Sequence, residues 1–168
     1  MQRIMIIGAS GAGKSTLARA LGERLGLPVV HGDPFFFHPG WVPREKAETA
    51  ALFNAAAMQD RWIIDGNNSS TMEFRAERAD LIIYLELGRL RRLARTLLRT
   101  LRYWGRARPD MAPGCPERFD AAFQFDWVWN FDRHSWPKMA KFLARWDGKR
   151  RILRLASPQA VREYLASL

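Results

Sequence analysis

Residues 3–18 read RIMIIGASGAGKSTLA, and the change of pattern inside this stretch decides the fold. The apolar run Ile4 to Ile7, closed by Gly8, predicts a buried parallel strand. From Lys14 onward Leu17, Ala20, Leu21 and Leu25 recur at helical spacing, with Gly26 as the stop and Pro28 beyond it. Between strand and helix, Gly8, Gly13, Lys14 and Ser15 fit the spacing Gly-x4-Gly-Lys-Ser. Glycines let the chain take positive φ and bring N–H groups against phosphate oxygens, and the helix start adds unbonded N–H groups and a positive dipole end. Four fixed positions match by accident in roughly one chain per hundred or fewer, and the flanking strand and helix supply the context that the pattern requires. A triphosphate of ATP is therefore expected on Gly8, Ser10, Gly11, Ala12, Gly13, Lys14, Ser15 and Thr16. Lys14 would reach the β and γ phosphates, and the Ser15 hydroxyl would ligate Mg²⁺.

Outward from this unit, strands are expected at 27–33, 61–65, 79–87 and 150–155. Helices are expected at 43–60, 72–78, from Gly88 onward, at 119–146 with a break near 130–135, and at 158–168. Residues 34–40 read as a loop and 105–117, rich in Gly and Pro, as an irregular excursion. Strands alternating with helices predict an α/β domain of three layers, a parallel sheet with helices on both faces.

The 168 residues suit one domain. Hydrophobic residues at 48% and charged residues at 26% exclude a disordered chain. No apolar run reaches about 18 residues and no basic leader precedes the first strand, so neither a membrane span nor secretion is expected. The single cysteine, Cys115, has no disulfide or zinc partner, which fits a reducing cytoplasm. A net charge of +10 calls for a polyanionic partner, either nucleic acid or nucleotide phosphates. Arginines crowd residues 89–108, which favours one cleft over a spread-out face. No guanine-reading Asn-Lys-x-Asp segment occurs, which excludes a GTPase of that type.

The layout resembles the nucleoside-monophosphate-kinase-like group, which includes adenylate, shikimate and gluconate kinases. More narrowly, the blocks GASGAGKSTLARALGERLGLPVVHGD, PGWVPRE, RWIIDGNNSS, LRYWGRARPDMAPGCPERFD and LASP are similar to the family known as DNA topology modulation protein, or FlaR-like. The resemblance implies a P-loop kinase fold over residues 1–168, with a five-stranded parallel sheet of order 2-3-1-4-5. It also implies an acceptor-binding insert at about 34–60 and an arginine-bearing lid at about 103–118.

By the same resemblance, Asp65 of Asp-Gly-Asn would hold a Mg²⁺-bound water; Asp65, Asn67 and Arg102 are also expected in the acceptor site. Asp33 would orient or deprotonate the acceptor, and Arg95 and Arg99 would clamp the transferred phosphoryl group. Both acids are also expected at the carboxyl edge of the sheet, where open α/β folds bind ligands; the competing reading is a strand-end cap. Arg92, Arg102 and Arg106 extend the face of Arg95 and Arg99. Leu90, Leu93, Leu97, Leu101 and Trp104 occupy other faces and are expected to anchor the helix to the core. Arg89, Arg91 and Arg108 read as a solvated face. Trp41 and Arg44 lie where related kinases bind the acceptor; Phe35 to Phe37 join them or belong to the core. Ser157 and Pro158 match a loop that flanks adenine.

The function expected is a Mg-ATP-dependent small-molecule kinase acting on a nucleotide-like or hydroxylated acceptor, as a monomer or homodimer. The absence of Phe-Pro-Arg after Asp65-Gly66 removes an arginine that adenylate kinases use for AMP. The alternatives are an ATP-binding protein associated with nucleic acid and affecting DNA topology, and a bare ATPase.

Overall fold

A computed structural model describes residues 1–168. The main sheet contains β1 (Arg3–Gly8), β2 (Val29–His31), β3 (Trp62–Asp65), β4 (Leu81–Leu85) and β5 (Arg151–Leu155). All four pairings are parallel, and the order is β2-β3-β1-β4-β5. β1 is central because nearly every residue in it is apolar, and its period-2 alternation feeds both faces. Ile4 and Ile6 enter one apolar cluster with Ile63, Ile83, Leu17 and Leu21, while Met5 and Ile7 enter another with Ile64, Ile82, Phe53 and Leu143. Each such buried side chain stabilises the fold by about 1.5–3 kcal/mol before entropic costs. The helices α1 (Lys14–Leu25) and α7 (Pro158–Ala166) cover the first face; α2 (Lys46–Met58), α3 (Met72–Arg78) and α6 (Trp136–Trp146) cover the second.

Several expected boundaries move. The second strand stops at His31, not Asp33, because Gly32 donates its N–H to Asp65 O and Pro34 turns the chain into a 3-10 turn over Asp33–Phe36. The supposed loop contains a short antiparallel pair, Phe37–His38 with Val42–Pro43, so Pro43 lies in a strand and the helix begins at Lys46. Phe35 and Phe36 pack edge-on against Phe53 of α2, which resolves two of the three phenylalanines in favour of the core. Residues 119–146 divide into a π-helix at Phe123–Trp129, a single turn α5 (Phe131–His134), and α6, which begins just before Pro137.

The largest departure concerns α4 (Arg89–Arg102), which turns its polar side inward. Arg92, Thr96 and Thr100 are buried, whereas Leu90, Leu98 and Leu101 are 69%, 65% and 70% exposed and Trp104 is 61% exposed. Leu90, Leu101 and Trp104 therefore do not anchor the helix, and Leu93 and Leu97 are only partly buried. Partners distant in sequence anchor it. Arg92 forks onto Asp132 at 2.8 and 3.0 Å and donates to Leu87 O and Val128 O; Thr96 donates to Gln124 Oε1 at 2.6 Å; Thr100 donates to Glu117 Oε1 at 3.0 Å. Arg92 is thus a structural ion-pair residue and does not extend the arginine face.

Candidate active site

The first turn after β1 is built by three glycines at positive φ: Gly8 at 147°, Gly11 at 77° and Gly13 at 100°. A Cβ at Gly11 would lie 2.6 Å from Arg92 O, so this position also brings the loop hard against α4. From Ser10 to Thr16, only Ala12 donates its backbone N–H within the chain, to Ala9 O at 3.2 Å. The first intrahelical bond is Leu17 N to Gly13 O at 3.0 Å. The amides of Ser10, Gly11, Gly13, Lys14, Ser15 and Thr16 therefore form a nest of free donors at a helix N-terminus, which is an anion site.

Lys14 closes one side of this nest, its Nζ donating to Ala9 O at 3.1 Å. Burial pushes its ammonium below the usual lysine value, against the support of Asp33 and Asp65, with Arg99 and Arg108 adding like-charge repulsion. A multiply charged anion would relieve that repulsion.

Asn67 fastens the opposite end of the loop. Its Oδ1 accepts from Gly8 N at 3.2 Å, and its Nδ2 donates to Gly8 O at 2.7 Å. The β1–β3 ladder ends at Ile6 opposite Asp65, and the Asn67 amide adds one further rung. Expected in the acceptor site, Asn67 instead binds the P-loop backbone. Arg75, fully buried over the Phe53 ring, holds the same turn by donating to Gly66 O at 2.9 Å and Asn68 O at 3.2 Å. Burial lowers this guanidinium to about 9 and Asp65 opposes the shift, so it remains charged at neutral pH. Asn67→Ala is expected to destabilise the fold by about 1–3 kcal/mol, since it orphans two backbone groups, and to weaken ATP binding; urea unfolding and nucleotide titration check both. Unchanged ATP affinity would detach Asn67 from the loop's function.

The acids and arginines converge at the same edge. Asp65 is buried, and its Oδ2 lies 2.6 Å from Nδ1 of His31, its register partner on β2. Burial works against the His31 imidazolium, but the bond and charge of Asp65 prevail and hold it above the usual histidine value. Asp33 is half-exposed and lies 3.8 Å from Arg108. Arg95 donates to Ala12 O at 3.2 Å, directly on the P-loop, although most of its side chain is in solvent. Arg99 donates to Glu117 Oε1 at 3.3 Å, and burial together with nearby Arg108 lowers its guanidinium.

Arg108, expected on a solvated face, is buried at the centre of this cluster. It lies 2.8 Å from Glu117 Oε2 and 3.5 Å from Asp110 Oδ2. The Glu117 contact lies off the Nε–H axis, which makes it an ion pair without a directed hydrogen bond. Asp110 is the other residue that sequence reasoning missed. Burial would raise its carboxyl, but Arg108, the Ser15 hydroxyl and His31 outweigh burial and keep it below the usual carboxylate range. Its position inside an Arg-Pro-Asp excursion gave no periodic signal; only the packing of that excursion carries it to the P-loop.

The excursion at about 103–118, expected as a lid, is fastened to the segment at about 34–60. Trp41, at φ 64°, donates its backbone N–H to Cys115 Sγ at 3.3 Å and Nε1 to Pro116 O at 2.9 Å, and Gly40 N donates to Gly114 O at 2.9 Å. Phe37 and Trp41 pack on Met111, Ala112 and Cys115. Trp41 is therefore part of the lid–insert seam. Arg44 pairs with Glu48 and donates to Phe37 O, so its charge is already partnered. Arg102 is exposed with its guanidinium 5.7 Å from the Tyr103 ring centroid, and Arg106 is exposed as well; neither pairs with the cluster. Ser157 caps α7 by accepting from Ala160 N at 3.0 Å, with Pro158 in the first turn, so its hydroxyl is committed to the helix. Thr16 is exposed in the first turn of α1.

No group of three His, Cys, Asp or Glu side chains forms a metal cage. Mg²⁺ at a nucleotide does not need one, because it keeps several waters and takes phosphate oxygens. The oxygen donors Ser15 and Asp65, with Asp33 and Asp110 nearby, suit that hard cation.

No family model and no curated protein matches the chain. Among solved structures it is similar to a shikimate kinase from Acinetobacter baumannii in complex with shikimate, at 16% identity and TM-score 0.62, covering 99% of this chain and 90% of that one. It is also similar to a gluconokinase from Sinorhizobium meliloti 1021, at 19% identity and TM-score 0.56, covering 98% and 90%. Together with the sheet order, this likeness establishes the α/β fold of P-loop kinases.

Proposed function

We propose that the chain is a P-loop kinase that transfers the γ-phosphoryl group of Mg-ATP to a small hydroxylated or nucleotide-like acceptor. The observation that carries this reading is the nest of free amides from Ser10 to Thr16, closed by Lys14 and faced by Arg95, Arg99 and Arg108. Bound Mg-ATP would supply the phosphoryl group and a cation that neutralises developing charge; Ser15 and, through water, Asp65 would hold that cation. The chain's own residues do the rest by positioning and charge.

Arg95 and Arg99 would clamp the equatorial oxygens, with Arg108 brought in by the lid. Asp33 is the half-exposed acid of the cluster, which suits it to orient the acceptor hydroxyl and take up its proton. Asp65, buried behind His31, acts at one remove. The lid, packed through Met111 and Cys115 onto the insert, excludes water that would otherwise receive the phosphoryl group. The sequence blocks that are similar to DNA topology modulation proteins name no reaction, and the placement of Arg99 and Arg108 on Glu117 favours a cleft over an extended polyanion face.

The decisive experiment is a screen of hydroxylated metabolites, nucleosides and nucleoside monophosphates for ADP release in the presence of ATP and Mg²⁺. One class is expected to raise ADP release well above the rate with ATP alone. ATP hydrolysis that ignores every acceptor would leave the ATPase reading; no ATP binding at all would end both.

A further inference from the structure

At the amino end of the sheet, away from the P-loop, the starts of β1, β4 and β5 frame a cleft of about 380 Å³. Seven of its eight lining residues are charged, five of them cations, and the eighth is Ala79. Strand register gathers them. Ile4 stands opposite Leu81 and Leu81 opposite Arg151, so Arg3, Asp80 and Arg150 fall in one row just before the ladder. Asp80 is spent within the chain: its Oδ2 accepts from the backbone N–H of Gln2 at 2.6 Å and of Arg3 at 3.0 Å, and its Oδ1 from the Arg3 guanidinium at 3.1 Å. Arg3 still keeps a buried Nε with no acceptor. Arg78 is pinned by Ala57 O and Met58 O, and Arg150 by Ala76 O, Glu77 O and Lys149 O. Bonds to neutral carbonyls fix a guanidinium in place without cancelling its charge. Lys149 and Arg151 are exposed, and their side chains have no partner in the chain.

We propose that this cleft is a second anion site, distinct from the P-loop, which takes a compact small molecule carrying two or more phosphate groups. The six residues of β1, roughly 20 Å of strand, separate the two places. Five cations against two carboxylates in one concavity concentrate positive potential there, and guanidinium and ammonium groups match phosphate oxygens in charge and geometry. The lining decides the rest of the ligand. The volume lies at the small end of the range of about 300–1,000 Å³ for small-molecule sites, and no aromatic or large apolar side chain borders it. A base or ring has nothing to stack on, so the phosphate groups themselves carry the recognition. A nucleic acid calls for a basic track that follows many phosphates, whereas this basic surface is one cleft with Glu77 in its wall. Glu77, exposed and without an ion-pair partner, competes with an anion for the same cations.

Two-dimensional amide NMR of the full chain, titrated with inorganic pyrophosphate, tests the proposal residue by residue and reads the P-loop amides separately. The amides of Arg3, Asp80 and Lys149 to Arg151 are expected to shift and to saturate at millimolar pyrophosphate or below. Lys149→Ala combined with Arg151→Ala should weaken that saturation about tenfold, each cation contributing as one half of an exposed ion pair does. Glu77→Gln should act in the opposite sense and tighten it about threefold. All three positions are exposed, so far-UV circular dichroism should be unchanged in both variants. No saturable shift at these amides, equal affinity in the double variant and the wild type, or no gain from Glu77→Gln overturns the site. Sulfate that binds as tightly at equal ionic strength overturns the requirement for linked phosphates, and a DNA duplex that moves the same amides at lower concentration turns the cleft into part of a nucleic-acid face and overturns the small-molecule ligand.

Discussion

Replacing Lys14 with alanine is expected to cut ATP turnover by a hundred- to a thousandfold or more, the usual effect of deleting one preorganised electrostatic contact to a reacting anion. Stability should hold. The ammonium makes one hydrogen bond within the chain, to Ala9 O, and its burial and the charges of Arg99 and Arg108 work against the support of Asp33 and Asp65. Its removal relieves about as much as it costs. Nucleotide titration and turnover, paired with a urea unfolding curve, separate the two effects. Wild-type turnover in Lys14→Ala would remove the nucleotide site from the account.

Glu117→Ala is expected to do the opposite, with stability falling first. This buried carboxylate receives Thr100 at 3.0 Å and Arg99 at 3.3 Å on one oxygen, and faces Arg108 at 2.8 Å with the other. Without it, two arginines that have been withdrawn from water lose their main counter-charge. Breaking a buried pair in this way costs about 3–5 kcal/mol. Glu117→Gln keeps an acceptor for Thr100 and should lie between alanine and wild type. If the alanine variant unfolded within about 1 kcal/mol of wild type in urea, a scatter common for exposed substitutions, Glu117 would not be the anchor of the arginine pair.

These two residues show what the sequence could and could not disclose. The placement of Lys14 was legible because everything that fixes it lies within a few positions: a strand, a glycine turn and a helix start. The parallel three-layer arrangement was legible for the same reason, from short apolar runs alternating with helices; the order of the strands was legible only through the resemblance to nucleoside-monophosphate-kinase-like proteins. Glu117, Arg108 and Asp110 were not legible, because their partners sit on β1's loop, α4 and the 3-10 turn at Asp33, and only the packing of the excursion between 105 and 117 brings them together. The face of α4 was misjudged on the most trusted signal, apolar periodicity, because Asp132, Gln124 and Glu117 supply polar partners from three other segments. Asn67 lay in the right loop with a different task, bonding a backbone and not a ligand.

The thiol of Cys115 is the only one in the chain, and it lies shut between the Gly114 turn and Trp41. Because the sulfur is buried there, reagents in solution are expected to reach it in the native fold only when those two segments part. The rate of alkylation in the native protein is thus a clock for the parting, written into the molecule without any added label. Ligands that draw the two segments together slow it, and the degree of slowing ranks them.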